Sequence, residues 1–225
     1  MEILNKEQFL TKRDLVVGSL IAVVMATVFV QIGSTALEAT FLPSLFAGWA
    51  IFAWMYFRKK ALPGGAVFIP LYLVGIAWQF IHFNEEFSTG FARMFPILYG
   101  LPPFSNDRFV SINMISYFLF TVSALLVFVK QLRFLMVPVL FFIMAGALGN
   151  AVWHSWWVIW LQGYFPGFVS ALVYWVIGFI LLNSLIKDRK MTFGIIVLLI
   201  AILVPSLTLL ASPDGIMSIR HSMGS

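Results

Sequence analysis

The sequence predicts an all-α protein, a bundle of seven membrane-spanning helices. Hydrophobic residues make up 61% of its 225 residues and charged residues only 10%, and the mean hydropathy is +0.98. A soluble chain of this length needs more polar surface than that to cover its core. Seven apolar runs of about 20 residues are each long enough to cross roughly 30 Å of hydrocarbon.

The predicted spans follow one another without a long polar interruption. The first is expected to be retained rather than cleaved as a signal peptide, because its leader mixes acidic and basic residues. No Gly/Ser-rich linker divides the chain, so residues 1–225 are predicted to form one transmembrane domain. The spans are predicted near 15–37, 41–57, 66–87, 109–129, 134–156, 167–186 and 192–211.

Lysine and arginine residues orient the predicted bundle. All of them lie on one side of the membrane except Arg93, Arg108 and Arg220, which lie on the other side. Because basic residues accumulate on the cytoplasmic side, the N-terminus is predicted to be cytoplasmic and the C-terminus outside. The distribution of basic residues among short loops argues against a nucleic-acid partner. The predicted location is the bacterial cytoplasmic membrane.

Two further features of the sequence limit its chemistry. The chain contains no cysteine, so any metal ion would have nitrogen and oxygen ligands. The segment 88–108, STGFARMFPILYGLPPFSNDR, is aromatic and contains three prolines, and it is predicted to lie in the outer interface. Both a lid over the bundle interior and an interfacial anchor fit this composition.

A group of ionisable residues occurs in HFNEE, near the outer end of the third span. At about 100° per residue, His82, Glu85 and Glu86 lie within an arc of roughly 100° on one helix face. Asn150 and His154 are four residues apart on the fifth span, so they share a face at the same predicted depth. Ionisable residues inside a membrane are costly and usually mark functional sites. The outer half of the bundle is therefore the predicted site.

The residue types in this group predict a metal site. Histidine nitrogens and carboxylate oxygens bind zinc, and they also bind iron or manganese. A divalent ion would offset the repulsion between adjacent carboxylates. Zinc is the predicted ion, and the candidate ligands are His82, Glu85, Glu86 and His154, with Glu38 at the outer end of the first span as a fifth candidate.

Each of these residues also has a purely structural explanation. A solvated helix terminus explains the HFNEE group without a metal, and Glu38 precedes TFLP, where proline is expected to turn the chain toward water. Asn150 suits a hydrogen bond between packed helices. His154 lies among tryptophans and suits an interfacial aromatic belt. The sequence alone leaves these alternatives open.

Three short motifs resemble the signature of a known family. HFNEE at 82–86, NAVWH at 150–154 and the pair PG at 166–167 occur in the order typical of the HXXEE-domain family of predicted bacterial membrane proteins. No activity is established for that family, so the resemblance implies a shared site and leaves its reaction open. The matching positions are His82, Glu85, Glu86, Asn150, His154, Pro166 and Gly167.

The favoured functional hypothesis is a metal-dependent membrane hydrolase that acts on a lipid or another hydrophobic molecule. Its candidate catalytic residues are Glu85, Glu86 and Asn150, and one carboxylate would serve as general base toward water activated by the ion. Two alternatives are a metal-free Glu/His acid–base enzyme, such as an isomerase, and a proton or metal-ion transporter or sensor. Four tryptophans are predicted to wall the substrate pocket: Trp78, Trp153, Trp156 and Trp157.

Overall fold

The computed structural model describes residues 8–32 and 34–223. Within that part of the chain, seven helices are long and apolar enough to cross a membrane, which confirms the predicted all-α bundle and its span count. The helices are, in chain order, α1 Lys12–Ile32, α2 Thr35–Phe57, α3 Gly65–Thr89, α4 Phe91–Leu98, α5 Asn106–Lys130, α6 Met136–Phe141, α7 Leu148–Leu161, α8 Phe168–Ile186, α9 Arg189–Leu209 and α10 Pro213–Met223.

The fifth span is continuous although it contains several helical types. A 3-10 turn at Arg133–Leu135 precedes α6, and a π-helical turn at Phe142–Ala147 joins α6 to α7. The whole span covers Arg133–Leu161, so it ends later than the predicted residue 156. Every residue from 136 to 154 is buried except Gly146, which is half-buried. α6 contacts α1, α2 and α5, and α7 contacts α8 and α9, so this span is the centre of the bundle.

The π-helical turn determines which neighbours the side chains of α7 meet. Such a turn contains one extra residue, which rotates the following side chains by about 100° relative to an uninterrupted helix. A Cβ on Gly146 would lie 2.6 Å from the ring of Phe142, so glycine permits this packing. After the turn, His154 reaches Glu86 of α3.

The boundary between the first two spans differs from the prediction. α1 ends at Ile32 and α2 begins at Thr35, so the predicted first span of 15–37 is too long and the second begins earlier than residue 41. Ser34 separates the helices with an extended backbone, φ −165° and ψ 172°. Glu38 consequently lies in the first turn of α2 and not at the end of α1.

Pro43 does not turn the chain as expected, because it lies inside α2. Proline cannot donate a backbone hydrogen bond to the carbonyl of Ala39, one turn earlier. The Ser206 hydroxyl of α9 donates to that carbonyl instead, at 2.9 Å. A neighbouring helix thus satisfies the carbonyl, which is how membrane helices tolerate an internal proline.

The segment 88–108 contains the short helix α4, which covers one end of the bundle. α3 and α7 end there and α5 and α8 begin there, and we call it the site end. Phe91, Phe95 and Leu98 form the buried face of α4, and the ring centroid of Phe91 lies 5.5 Å from that of His154. α10 packs against α4. The segment therefore covers the residues singled out by the sequence, and the outward orientation of this end stays a prediction.

Candidate metal site

Three buried side chains from two helices meet at the site end. His82 and Glu86 are one turn apart on α3, and His154 comes from α7. Nε2 of each histidine lies 3.4 Å from Oε1 of Glu86. Both histidines are fully buried and Glu86 is 5% exposed. Together these residues form a group that could hold a metal ion.

The two nitrogen–oxygen distances in the group suit ligands of one small ion. All three atoms lie within 4.8 Å of one another. With metal–ligand bonds of ~2.0–2.1 Å, two corners of a tetrahedral site are separated by about 3.3–3.4 Å. The two nitrogen–oxygen distances of 3.4 Å equal this edge. They exceed the ~2.7–3.2 Å of ordinary N–H···O hydrogen bonds, so the geometry fits coordination better than direct hydrogen bonding.

Hydrogen bonds assign the position of the proton on His82. Nδ1 of His82 lies 2.9 Å from Oγ of Ser170. The Ser170 hydroxyl donates to Oε2 of Glu85, because a carboxylate is a stronger acceptor than the Gly167 carbonyl at 3.3 Å. The Ser170 oxygen must then accept from Nδ1–H of His82. In neutral His82 the Nε2 atom then has a lone pair on the side of Glu86, and a cation there would remove the repulsion between the two groups.

Glu85, predicted as a ligand or a catalytic base, has its contacts with α8 and lies outside the three-residue group. Its Oε1 accepts from the Tyr164 hydroxyl at 2.7 Å and from the Val169 N–H at 3.0 Å. Its Oε2 accepts from the Ser170 N–H at 2.7 Å. The carboxylate thus caps the N-terminus of α8, where the helix dipole favours negative charge. Through Ser170 it also orients His82, as carboxylates commonly orient metal-binding histidines.

Tyr164 lies between the fifth and sixth spans and closes this hydrogen-bond chain. Its side chain is partly exposed and donates to Glu85. Burial, and then the bond to the Glu85 carboxylate, raise the pKa of the Tyr164 hydroxyl. The neutral hydroxyl is therefore favoured as the donor that holds Glu85 in place.

The Pro166–Gly167 pair forms a tight turn against the three candidate ligands. Phe168 N–H donates to the Phe165 carbonyl at 3.2 Å, and Gly167 has φ +88° and ψ −4°. These angles define the third position of a type II turn, which glycine favours, and proline suits the second position. A Cβ at Gly167 would lie 2.6 Å from Cε1 of His154, 2.8 Å from Cγ of Glu86 and 3.0 Å from Cε1 of His82. The glycine backbone is therefore one wall of the site.

Asn150 and Glu38 lie outside the group of ligand atoms. The Asn150 amide donates to the Gly146 carbonyl at 3.0 Å, which ties it to the π-helical turn one helical turn below His154. Asn150 also lines the cavity described next. Glu38 is half-buried in the first turn of α2. The helix boundary at Ser34, which the sequence did not predict, accounts for its position.

A cavity of about 590 Å³ adjoins the site. Of the three candidate ligands, only Glu86 lines it, so a bound molecule would approach the group from the Glu86 side. Trp153 and Trp157 line the cavity as well. Trp78 and Trp156 are not among its lining residues, because their indoles donate to the Ser170 carbonyl and the Thr208 hydroxyl at helix interfaces. The four tryptophans proposed for the pocket thus have two different roles.

Ser170 and Tyr164 are two polar residues of the site that the sequence did not indicate directly. Both act on Glu85, and Ser170 also contacts His82. A signal was present, because the Pro166–Gly167 pair marks the start of a helix at the same end as HFNEE. A hydroxyl in the first turn of that helix was the residue to consider.

The fold and the site define an integral membrane protein whose described residues form seven candidate membrane spans, with a buried His/Glu/His group at one end. Comparisons with family models, curated proteins and solved structures found no match to the chain. The resemblance of its motifs to the HXXEE-domain signature therefore stays a prediction.

Proposed function

We propose that the protein is a zinc-dependent membrane hydrolase that acts on a lipid or another hydrophobic substrate. One observation carries the proposal: the Nε2 atoms of two buried histidines converge on the same oxygen of Glu86, each at 3.4 Å. An unpaired carboxylate in this environment is costly, and a bound cation compensates its charge.

The ligand set favours zinc over the alternatives. Two imidazole nitrogens and one carboxylate oxygen are typical of catalytic zinc sites, which keep a fourth position open for water or substrate. A di-iron or di-manganese centre in a helical bundle uses several carboxylates. Glu85 is bonded to the start of α8, so this site supplies one carboxylate from the HFNEE motif.

A hydrolase makes use of each feature of the site. The ion would supply a polarised substrate oxygen and water of lowered pKa. Ser170 and Glu85 hold the His82 ring with Nε2 directed toward Glu86. Glu86 lines the cavity, so its carboxylate is the candidate group to accept a proton from a reactant there. Phe91 and Trp157 cover the group and exclude bulk water.

We further propose that the chain belongs to the HXXEE-domain family and resides in a bacterial cytoplasmic membrane. Support comes from the contacts among its motif residues. The HFNEE residues His82 and Glu86, His154 of NAVWH and Gly167 of the PG pair are mutual neighbours. If the residues of the three motifs form one site, a shared function explains why the motifs occur together in one chain.

Metal content measured by elemental analysis of protein purified without chelators tests the ion. We expect about one zinc per chain in the wild type, since one three-ligand group binds one ion. His82→Ala, His154→Ala and Glu86→Gln should lose it. His221→Ala and Glu38→Gln are matched controls, because His221 is exposed and Glu38 lies outside the group. A metal-free wild type, or equal occupancy in all variants, contradicts the proposed site.

The reaction is tested with ester lipids in water enriched in oxygen-18. Hydrolysis breaks the acyl–oxygen bond, adds the oxygen of water to the released acid and returns a proton to the alcohol. We expect labelled acid from the zinc-loaded wild type and its controls, and none from Glu86→Gln. A substrate rearranged without label would instead support the metal-free isomerase, and zinc or proton uptake into proteoliposomes without hydrolysis would support transport.

A further inference from the structure

We infer that the cavity beside Glu86 is a groove for one acyl chain of a bilayer lipid, which enters sideways between α1 and α5. This inference rests on the proposed function for what happens at the polar end of the lipid, and on the cavity alone for where the chain lies. Its volume of about 590 Å³ falls within the ~300–1,000 Å³ of small-molecule sites.

The groove opens toward the membrane. Val24 of α1 is 62% exposed and Ile115 of α5 is 59% exposed, and both line the cavity. α1 and α5 both pack against α6, which lies between them and forms the floor with Pro138 and Phe141. An apolar groove that faces hydrocarbon holds water poorly, so the chains of surrounding lipids are its natural occupants.

The groove is long enough for a chain that starts at the candidate metal site. Its lining residues on α5 extend from Phe109 to Ser123, which at ~1.5 Å per residue is about 20 Å. This exceeds the half-thickness of about 15 Å for a hydrocarbon core of ~30 Å. A chain with its ester group beside Glu86 would therefore run along the groove for the full depth of one leaflet.

Polar groups at the site end would hold the lipid in a defined register. A lipid chain gains little by moving from the bilayer into an equally apolar groove, so the chain alone cannot select its position. Of the three candidate ligands, Glu86 lines the groove. An ion held beside it would bind the ester carbonyl and so fix the position of the polar end of the lipid.

Lipid retention tests the groove independently of catalysis. The purified protein is washed with delipidating detergent, and retained lipid is counted by native mass spectrometry. Val24→Trp fills the groove, whereas Val23→Trp is its matched control, since Val23 is also 62% exposed but does not line the cavity. We expect one retained lipid per chain in the wild type and the control, and at least about a fivefold loss in Val24→Trp, a loss in affinity of ~1 kcal/mol.

A second pair of variants tests the opposite wall of the groove, which α5 forms. Ile115→Trp should also reduce retention, and Phe118→Trp should not, because Phe118 is exposed on α5 outside the lining. Zinc content should stay at the wild-type level in all four variants. Equal retention in the groove variants and their controls overturns the inference. Selective loss of lipid in a protein that neither binds zinc nor hydrolyses esters supports the groove and removes the proposed function.

Discussion

Replacement of Gly167 by alanine should weaken zinc binding by crowding all three ligands at once. The added Cβ would lie 2.6 Å from Cε1 of His154, 2.8 Å from Cγ of Glu86 and 3.0 Å from Cε1 of His82. Each contact is too short, and two of them fall on the ring carbon bonded to a ligand nitrogen. The ligand atoms must therefore move, or the turn at Pro166–Gly167 must shift.

The expected magnitude has two parts. A non-glycine residue at positive φ costs about 1–2 kcal/mol, and overpacking of a buried site costs about a further 1–3 kcal/mol. Only the second part acts on the ligand geometry. If the ion-bound state bears all of it, the zinc dissociation constant rises roughly 5- to 150-fold.

Gly90→Ala is the matched control for this prediction. Gly90 has φ +89°, within 1° of the +88° of Gly167, but a Cβ there would meet no atom within 4 Å. The control thus carries the backbone cost without the crowding. Zinc affinity is measured by competition with a chromophoric chelator, and stability by thermal unfolding in detergent. If both variants bind zinc equally well, the proposed contact between the turn and the ligands is wrong.

Two further predictions concern single hydroxyl groups. Ser170→Ala should lower zinc affinity about 10- to 100-fold, the usual cost of losing a residue that orients a ligand. Ser184→Ala is the control and should not change the affinity, because the Ser184 hydroxyl donates to a carbonyl of its own helix. Equal zinc affinities of the two variants in a competition titration would contradict the orientation of His82 by Ser170. Ser206→Ala should lower the free energy of unfolding by about 1–3 kcal/mol, because it leaves a buried carbonyl of α2 without a donor. The loss of stability caused by Ser206→Ala should be smaller in a Pro43→Ala background, where residue 43 can donate its own N–H to the Ala39 carbonyl. Denaturant titrations that give an equal loss in both backgrounds would show that Ser206 does not replace the hydrogen bond that Pro43 cannot make.

The overall architecture was predictable because its dominant cause is visible in composition. Long apolar runs must form helices in a membrane, where every backbone polar group needs an internal partner, and the seven predicted spans are present. The predicted helix boundaries are wrong where a contact between distant helices overrides the preference of the local sequence. Pro43 suggested a turn, and only the hydroxyl of Ser206, far away in the sequence, shows why the helix continues.

Part of the site was also predictable, since helix periodicity brings His82 and Glu86 onto one face. Their meeting with His154 required the relative positions of α3 and α7, which depend on the π-helical turn of the fifth span. The hydrophobic periodicity of the sequence does not reveal the π-helical turn. The Pro166–Gly167 pair indicated a hydroxyl at the start of α8, but its hydrogen bond to Glu85 joins helices that are distant in the chain and could not be predicted from local sequence.

The two adjacent glutamates of HFNEE have different environments, and helix geometry gives the reason. Successive residues differ by about 100° around a helix, so neighbouring carboxylates point toward different partners. Glu86, four residues after His82, faces both histidines, whereas Glu85 faces the N-terminus of α8. The charge of Glu85 is therefore balanced by backbone N–H groups and the helix dipole.

The different partners of Glu85 and Glu86 determine the net charge of the site with an ion bound. With Glu85 already compensated, a divalent ion would be balanced by Glu86 alone, because neutral imidazoles add no charge. The group would then carry a net positive charge in a low-dielectric environment, where electrostatic interactions are strong. Negative charge that develops on a substrate oxygen during ester hydrolysis would be stabilised by this excess. Two carboxylate ligands would cancel this positive charge. The hydrogen bonds of Glu85 to α8 leave one carboxylate for the ion, so they favour a site that can stabilise such negative charge.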